Sequence, residues 1–153
     1  MTIDQITLNS FRSYVHLEAD FDPRVNVIVG ENAQGKTNLL ESIAYLSSAS
    51  SHRARYDREL IRHGDDHAFL KGKVSNRGRT FILEADLNRG MRRQLRSNGV
   101  KLKTAGELSG LLNTVLFCPE DLYLIREGAE ARRRFLDSCI CQLRPRYAQA
   151  LAE

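Results

Sequence analysis

Apolar positions near the start of the chain recur at every second residue, and from residue 38 they fall at helical spacing. Over residues 3–11, Ile6, Leu8 and later Phe11 are apolar; over 14–21, Val15, Leu17, Ala19 and Phe21 share one face. With Arg12 and Ser13 as a turn, the pattern predicts two antiparallel strands across 2–21. Residues 24–29 read as a buried core strand, carrying Val25, Val27, Ile28 and Val29. A helix over 38–46 follows, with Leu39, Leu40, Ile43 and Leu46 expected against the sheet. The small polar residues 47–51 end it, and the charged stretch 52–62 places Leu60 and Ile61 in a short helical turn.

Three short strands are expected at 67–75, 79–88 and 91–97, forming a meander. Their joints are Asn76-Arg77-Gly78, Asn88-Arg89-Gly90 and Asn98-Gly99, each a turn signal. Thr104 is placed to cap a short helix over 105–112, and 113–118 reads as another core strand. Pro119-Glu120-Asp121-Leu122 opens a further short helix with proline near its first turn. A long helix is expected over 129–152. Leu136, Ile140, Leu143, Tyr147 and Leu151 keep one face of it, and Pro145 kinks it or ends its first half.

Between the strand at 24–29 and the helix at 38–46 lies Gly30-Glu31-Asn32-Ala33-Gln34-Gly35-Lys36-Thr37, which fits G-x-x-x-x-G-K-[ST] without a gap. Strand, glycine loop and helix start are the context in which this motif holds a nucleoside triphosphate. Backbone N–H groups and the positive end of the helix face the phosphates. Gly30 and Gly35 are needed where the backbone turns sharply and approaches oxygen closely. Asn32, Ala33 and Gln34 contribute mainly backbone donors. Lys36 is expected on the β- and γ-phosphates and the Thr37 hydroxyl on magnesium, so the implied cofactors are ATP and Mg2+. The bland alternative is a glycine-rich turn with a surface lysine.

Bulk properties narrow the setting. The 153 residues suit about one domain, and 42% hydrophobic residues allow a real core. No apolar run approaches the ~20 residues that span a bilayer. Met1-Thr2-Ile3-Asp4-Gln5 has no basic segment followed by an apolar block, so no signal peptide is expected. Cys118, Cys139 and Cys141 make an odd count without zinc-site spacing, and reduced thiols in a cytoplasmic protein are expected. The net charge of +4 is compatible with nucleic acid without requiring it.

Several strings together resemble the RecF family of bacterial recombination-repair ATPases, related to SMC and ABC-type ATPases. They are Leu8-Asn9-Ser10-Phe11-Arg12-Ser13-Tyr14, the loop with Asn38-Leu39-Leu40-Glu41 after it, Phe117-Cys118-Pro119-Glu120-Asp121-Leu122, and Arg132-Arg133-Arg134-Phe135-Leu136-Asp137. The resemblance implies an α/β P-loop NTPase fold of the ABC type, with residues 1–153 as the N-terminal ATP-binding lobe, a mixed sheet and an antiparallel β-meander. It implies an ATP-dependent homodimer acting in DNA replication, recombination and repair at gapped or junction DNA, with RecO and RecR as partner proteins and no membrane. Such chains continue into a signature motif, an acidic Walker B strand and a histidine switch. No SGGQ-type signature occurs in these 153 residues, so a truncated lobe with weak or no turnover alone is expected.

Other candidates remain open between two readings. Arg12 approaches the nucleotide or is a solvent-facing turn arginine. Glu120 and Asp121 touch magnesium or its water, or complement a helix macrodipole. Ser51, His52, Arg53 and Arg55 reach phosphate or DNA, or form a charged linker. Arg89, Arg92, Arg93, Arg96, Lys101 and Lys103 contact DNA phosphates or merely solubilise a hairpin. The four histidines show no metal-ligand spacing. At the level of the whole chain, the alternatives to a RecF-type lobe are a small-molecule P-loop kinase or phosphotransferase and a non-catalytic nucleotide-binding module.

Overall fold

The computed structural model describes residues 1–108, 110–118 and 128–151. Among the described residues six strands form one sheet: β1 (Thr2–Phe11), β2 (Tyr14–Asp20), β3 (His67–Asn76), β4 (Arg79–Asn88), β5 (Met91–Ser97) and β6 (Val100–Lys101). The order is β2-β1-β3-β4-β5-β6, and all the ladders among the described residues are antiparallel. The helices are α1 (Lys36–Ser48), α2 (Ala129–Leu143) and α3 (Pro145–Leu151). The meander falls within a residue of its expected bounds because its turns are strongly encoded. Arg77-Gly78 and Asn98-Gly99 both take positive φ, as two-residue hairpin turns demand.

One face of the sheet is the core. Ile6 and Leu8 of β1, Leu70 and Val74 of β3, and Leu83 and Leu87 of β4 are fully buried there. α1 packs on this face through Leu39, Tyr45 and Leu46. Gly72 of β3 makes the approach possible: a Cβ there would stand 2.8 Å from Leu46 Cδ1. Ser10 takes φ 50°, which breaks the alternation of β1 and keeps Phe11 fully buried three residues after Leu8. The opposite face is solvated and charge-paired. Across it, one row reads Glu18, Thr7, Lys71, Glu84, Arg96 and Lys101.

The helix α1 presents its face differently from the expectation. Leu40 is exposed, whereas Tyr45, Glu41 and Ser42 are buried. The Tyr45 hydroxyl donates to Asp57 Oδ1 at 2.8 Å, and Arg93 donates to Asp57 Oδ2 at 2.9 Å, tying α1 to the 3-10 turn Asp57–Glu59 and to β5. Burial drives the Tyr45 phenol upward from its ordinary pKa. The helix expected over 105–112 is the single 3-10 turn Ala105–Leu108. Glu107 Oε1 reaches back to the N–H groups of Lys103 and Thr104, both at 2.8 Å, so the carboxylate rather than the threonine hydroxyl organises its start.

Two expected core strands are not strands. Residues 24–29 run on from Pro23 without joining any ladder among the described residues, and Val27 and Val29 are 79% and 83% exposed. Asn26 instead closes a local loop: its side chain donates to the Asp22 carbonyl and accepts from the Asp22 N–H, both at 2.8 Å. Residues 113–118 likewise form no ladder; Phe117 is 76% exposed while Cys118 is buried. A run apolar on both faces needs neighbours on both sides, and the described residues supply none. The long helix divides at Arg144, immediately before Pro145, into α2 and α3. Its expected apolar face is largely open: Leu136, Leu143 and Leu151 are exposed.

Candidate functional site: the phosphate loop

The loop leads directly into α1. Gly35 is the residue before the helix, with φ 97° and ψ 4°, and Ala33 also has positive φ at 65°. A Cβ on Gly35 would stand 2.7 Å from Ser13 Oγ and 3.0 Å from the Tyr14 ring, so both dihedrals and space demand glycine here. The Gly35 carbonyl accepts the Leu39 N–H at 3.0 Å and the Tyr14 hydroxyl at 3.1 Å. The first turn of α1 holds no acidic residue, which leaves the positive end of the helix open to an anion. Lys36 Nζ folds back over the loop and donates to the carbonyls of Gly30 (2.7 Å) and Glu31 (2.6 Å). Glu31, Asn32, Ala33, Gln34 and Thr37 are exposed around it. The arrangement is an exposed glycine-bounded loop at a helix N-terminus, with the Lys36 ammonium folded onto its first carbonyls and an exposed hydroxyl at Thr37. Its chemistry fits a polyphosphate, with Thr37 as the protein's hydroxyl toward a divalent cation.

Behind the loop lies a polar cluster that no local sequence pattern marks. Glu41 of α1 is fully buried. It accepts from Arg12 Nη2 (2.6 Å) and Nε (2.9 Å) and from Ser51 Oγ (2.5 Å), and Arg53 Nη1 lies 3.7 Å away. Burial pushes the Glu41 carboxyl upward. The hydrogen bonds from Arg12 and Ser51 and the charges of Arg12 and Arg53 outweigh it, and the net pKa is lowered. Arg12 spends its third donor on the Glu59 carbonyl at 3.0 Å. Asn38, next to Thr37, donates to Ser13 Oγ at 3.0 Å and accepts from Arg53 at 3.2 Å. The signal in the sequence is an acid four residues before Tyr45, on the same side of the helix.

The basic hairpin set divides in two. Arg93 is held by Asp57, Arg96 by Asp86 and Gln94, and Arg89 by the Asp65 carbonyl at 2.7 Å. Arg92, Lys101 and Lys103 are exposed. Glu120 and Asp121 lie outside the described residues. His52 Nε2 is 3.4 Å from Cys118 Sγ, and the described residues hold no metal-binding cluster of histidine, cysteine and acid.

The family described as RecF/RecN/SMC N terminal domain matches residues 2–122. The chain belongs to this family. It is 41% identical over its full length to the DNA replication and repair protein RecF of Bacillus mycoides, and 42% identical to that of Acidothermus cellulolyticus. It spans 40% and 41% of those two relatives, about two fifths of their length. A solved structure of the recombination mediator protein RecF-ATPrS in the RecFOR pathway superposes with a TM-score of 0.90 at 34% identity, covering 98% of this chain and 41% of that one. An SMC ATPase structure, 20% identical with a TM-score of 0.72, shares the fold and covers 91% of this chain and 99% of that one. The expected resemblance to the N-terminal portion of RecF and the expected P-loop fold of the ABC type therefore both stand. Within this RecF-like frame, the loop, α1 and the antiparallel sheet are the parts the chain supplies.

Proposed function

We propose that the chain is the ATP-binding lobe of a RecF-type DNA replication and repair protein. The observation that carries this reading is the loop from Gly30 to Thr37. Its last glycine is locked in a conformation only glycine takes easily, its lysine folds onto its first carbonyls, and the helix behind it begins without an acid. The likeness to solved RecF with an ATP analogue supports ATP as the ligand. Mg2+ bound there would neutralise phosphate charge, and Thr37 is the residue that would hold it.

The further reach of the reading concerns the whole protein. It is an ATP-dependent homodimer on gapped or junction DNA, working with RecO and RecR in the cytoplasm. Among the described residues no helix is long and apolar enough to cross a membrane. Of the basic hairpin residues, the exposed Arg89, Arg92, Lys101 and Lys103 are the ones left to meet DNA phosphates, since Arg93 and Arg96 are paired with carboxylates within the fold. The exposed apolar segments 24–29 and 113–117 are the surface on which the rest of such a protein completes its sheet, and this lobe alone turns ATP over weakly or not at all.

The test is equilibrium binding of ATP with magnesium to the wild-type chain and to Lys36→Ala. Loss of a charge-assisted contact predicts affinity at least about tenfold weaker in the variant. Equal affinity would remove the loop from the site. Filter binding to gapped duplex DNA, with and without ATP, tests the DNA part separately.

A further inference from the structure

We propose that Tyr14 is a positioning residue for the phosphate grip, acting through the peptide between Gly35 and Lys36. The inference rests on the polyphosphate reading of the loop. In a trans peptide the carbonyl and the N–H point in opposite directions. The Gly35 carbonyl is fixed twice, by the Leu39 N–H at 3.0 Å along the helix and by the Tyr14 hydroxyl at 3.1 Å from the side. Both lone pairs of that oxygen are thereby used, and the plane of the peptide cannot rock about the helix axis. The Lys36 N–H on its other side is then aimed out of the N-terminal end of α1, where an anion at the loop would meet it. The ring of Tyr14 and the hydroxyl of Ser13 also fill the space a Cβ on Gly35 would take. Tyr14 is half-buried, with its phenol pKa raised by that burial, so the hydroxyl remains a donor through the neutral range. The start of β2, far from the loop in sequence, thus sets the direction of one of its donors in advance of binding.

The contact is made to the main chain and touches no base or sugar. Its effect should therefore be the same for ATP and for tripolyphosphate, a probe with no nucleoside. The experiment compares wild type, Tyr14→Phe and Lys36→Ala by calorimetric titration with each probe, with melting of the free proteins alongside. Tyr14→Phe keeps the ring and deletes only the donor. Affinity about fivefold weaker for both probes is expected, with the free protein melting only a few degrees below wild type, the loss that one neutral hydrogen bond accounts for. The Lys36 amide resonance should also move less on adding ATP to Tyr14→Phe than to wild type, a change that loss of general stability would not produce. Wild-type affinity in Tyr14→Phe, with Lys36→Ala impaired, overturns the role of Tyr14 and leaves the loop reading intact. A weakening seen with ATP and not with tripolyphosphate overturns it as well. Absence of binding by wild type overturns the loop reading itself, and this inference with it.

Discussion

Arg12 grips Glu41 with two donors, at 2.6 and 2.9 Å, and Glu41 has no exposed surface. The pair joins the β1–β2 turn to the second turn of the helix that carries the phosphate loop. A buried carboxylate is costly unless several partners neutralise it, and here Ser51 and Arg53 complete the set. Arg12→Ala should cost about 3 kcal/mol in urea unfolding, the low end for breaking a buried pair because Ser51 and Arg53 remain. The pH dependence follows in sign. Glu41 titrates in the folded chain below the 4.5 of an unperturbed glutamate. Its contribution is therefore complete above that value and is lost as pH falls through the folded pKa. Stability measured from pH 7 downward should show the gap between wild type and Arg12→Ala narrowing as Glu41 takes up its proton, first in the variant and then in wild type. A gap constant to pH 2 would mean the carboxylate is not what Arg12 stabilises.

The two loop glycines should differ in substitution. At Gly35 an alanine meets both a φ of 97° and neighbours at 2.7 and 3.0 Å. At Gly30, φ is 153° and nothing lies within 4 Å of the added carbon. Gly35→Ala should lose about 2 kcal/mol of stability, from strain together with displacement of Ser13 and Tyr14, and should abolish detectable ATP binding. Gly30→Ala should cost clearly less in the same thermal melts. Equal losses at the two positions would show that crowding by the β1–β2 turn plays no part.

How far the sequence discloses this molecule depends on where each residue's partners lie. The hairpins over residues 67–101 are legible because Asn76-Arg77-Gly78 and Asn98-Gly99 fix two of their turns locally. The loop is legible because its chemistry is written in eight consecutive residues. The break at Pro145 is legible because proline acts on the residue just before it. Glu41 is not legible because its partners sit 29 and 10 residues away, and no local pattern marks an acid as buried. The hairpin arginines looked equivalent in sequence, yet Arg93 and Arg96 are committed to Asp57 and Asp86 through the fold. Hydrophobic runs report a preference for burial, and they leave unstated whether a neighbour is present to satisfy it.

Residues 24–29 make that last point testable. Val27 is 79% exposed and touches no ladder, so Val27→Ser removes no packing from the chain. Its urea midpoint should match wild type to within about 0.5 kcal/mol, the range of ordinary surface changes. Leu70→Ala, on a fully buried side chain in the centre of the sheet, should cost about 3 kcal/mol in the same assay. Solubility should move the other way: a serine breaks up an exposed apolar strip, and Val27→Ser should stay monomeric to higher concentration than wild type in sedimentation runs. A cost near that of Leu70→Ala would place this segment in a buried ladder, and the phosphate loop that follows it would then start from a fixed strand rather than from an open one.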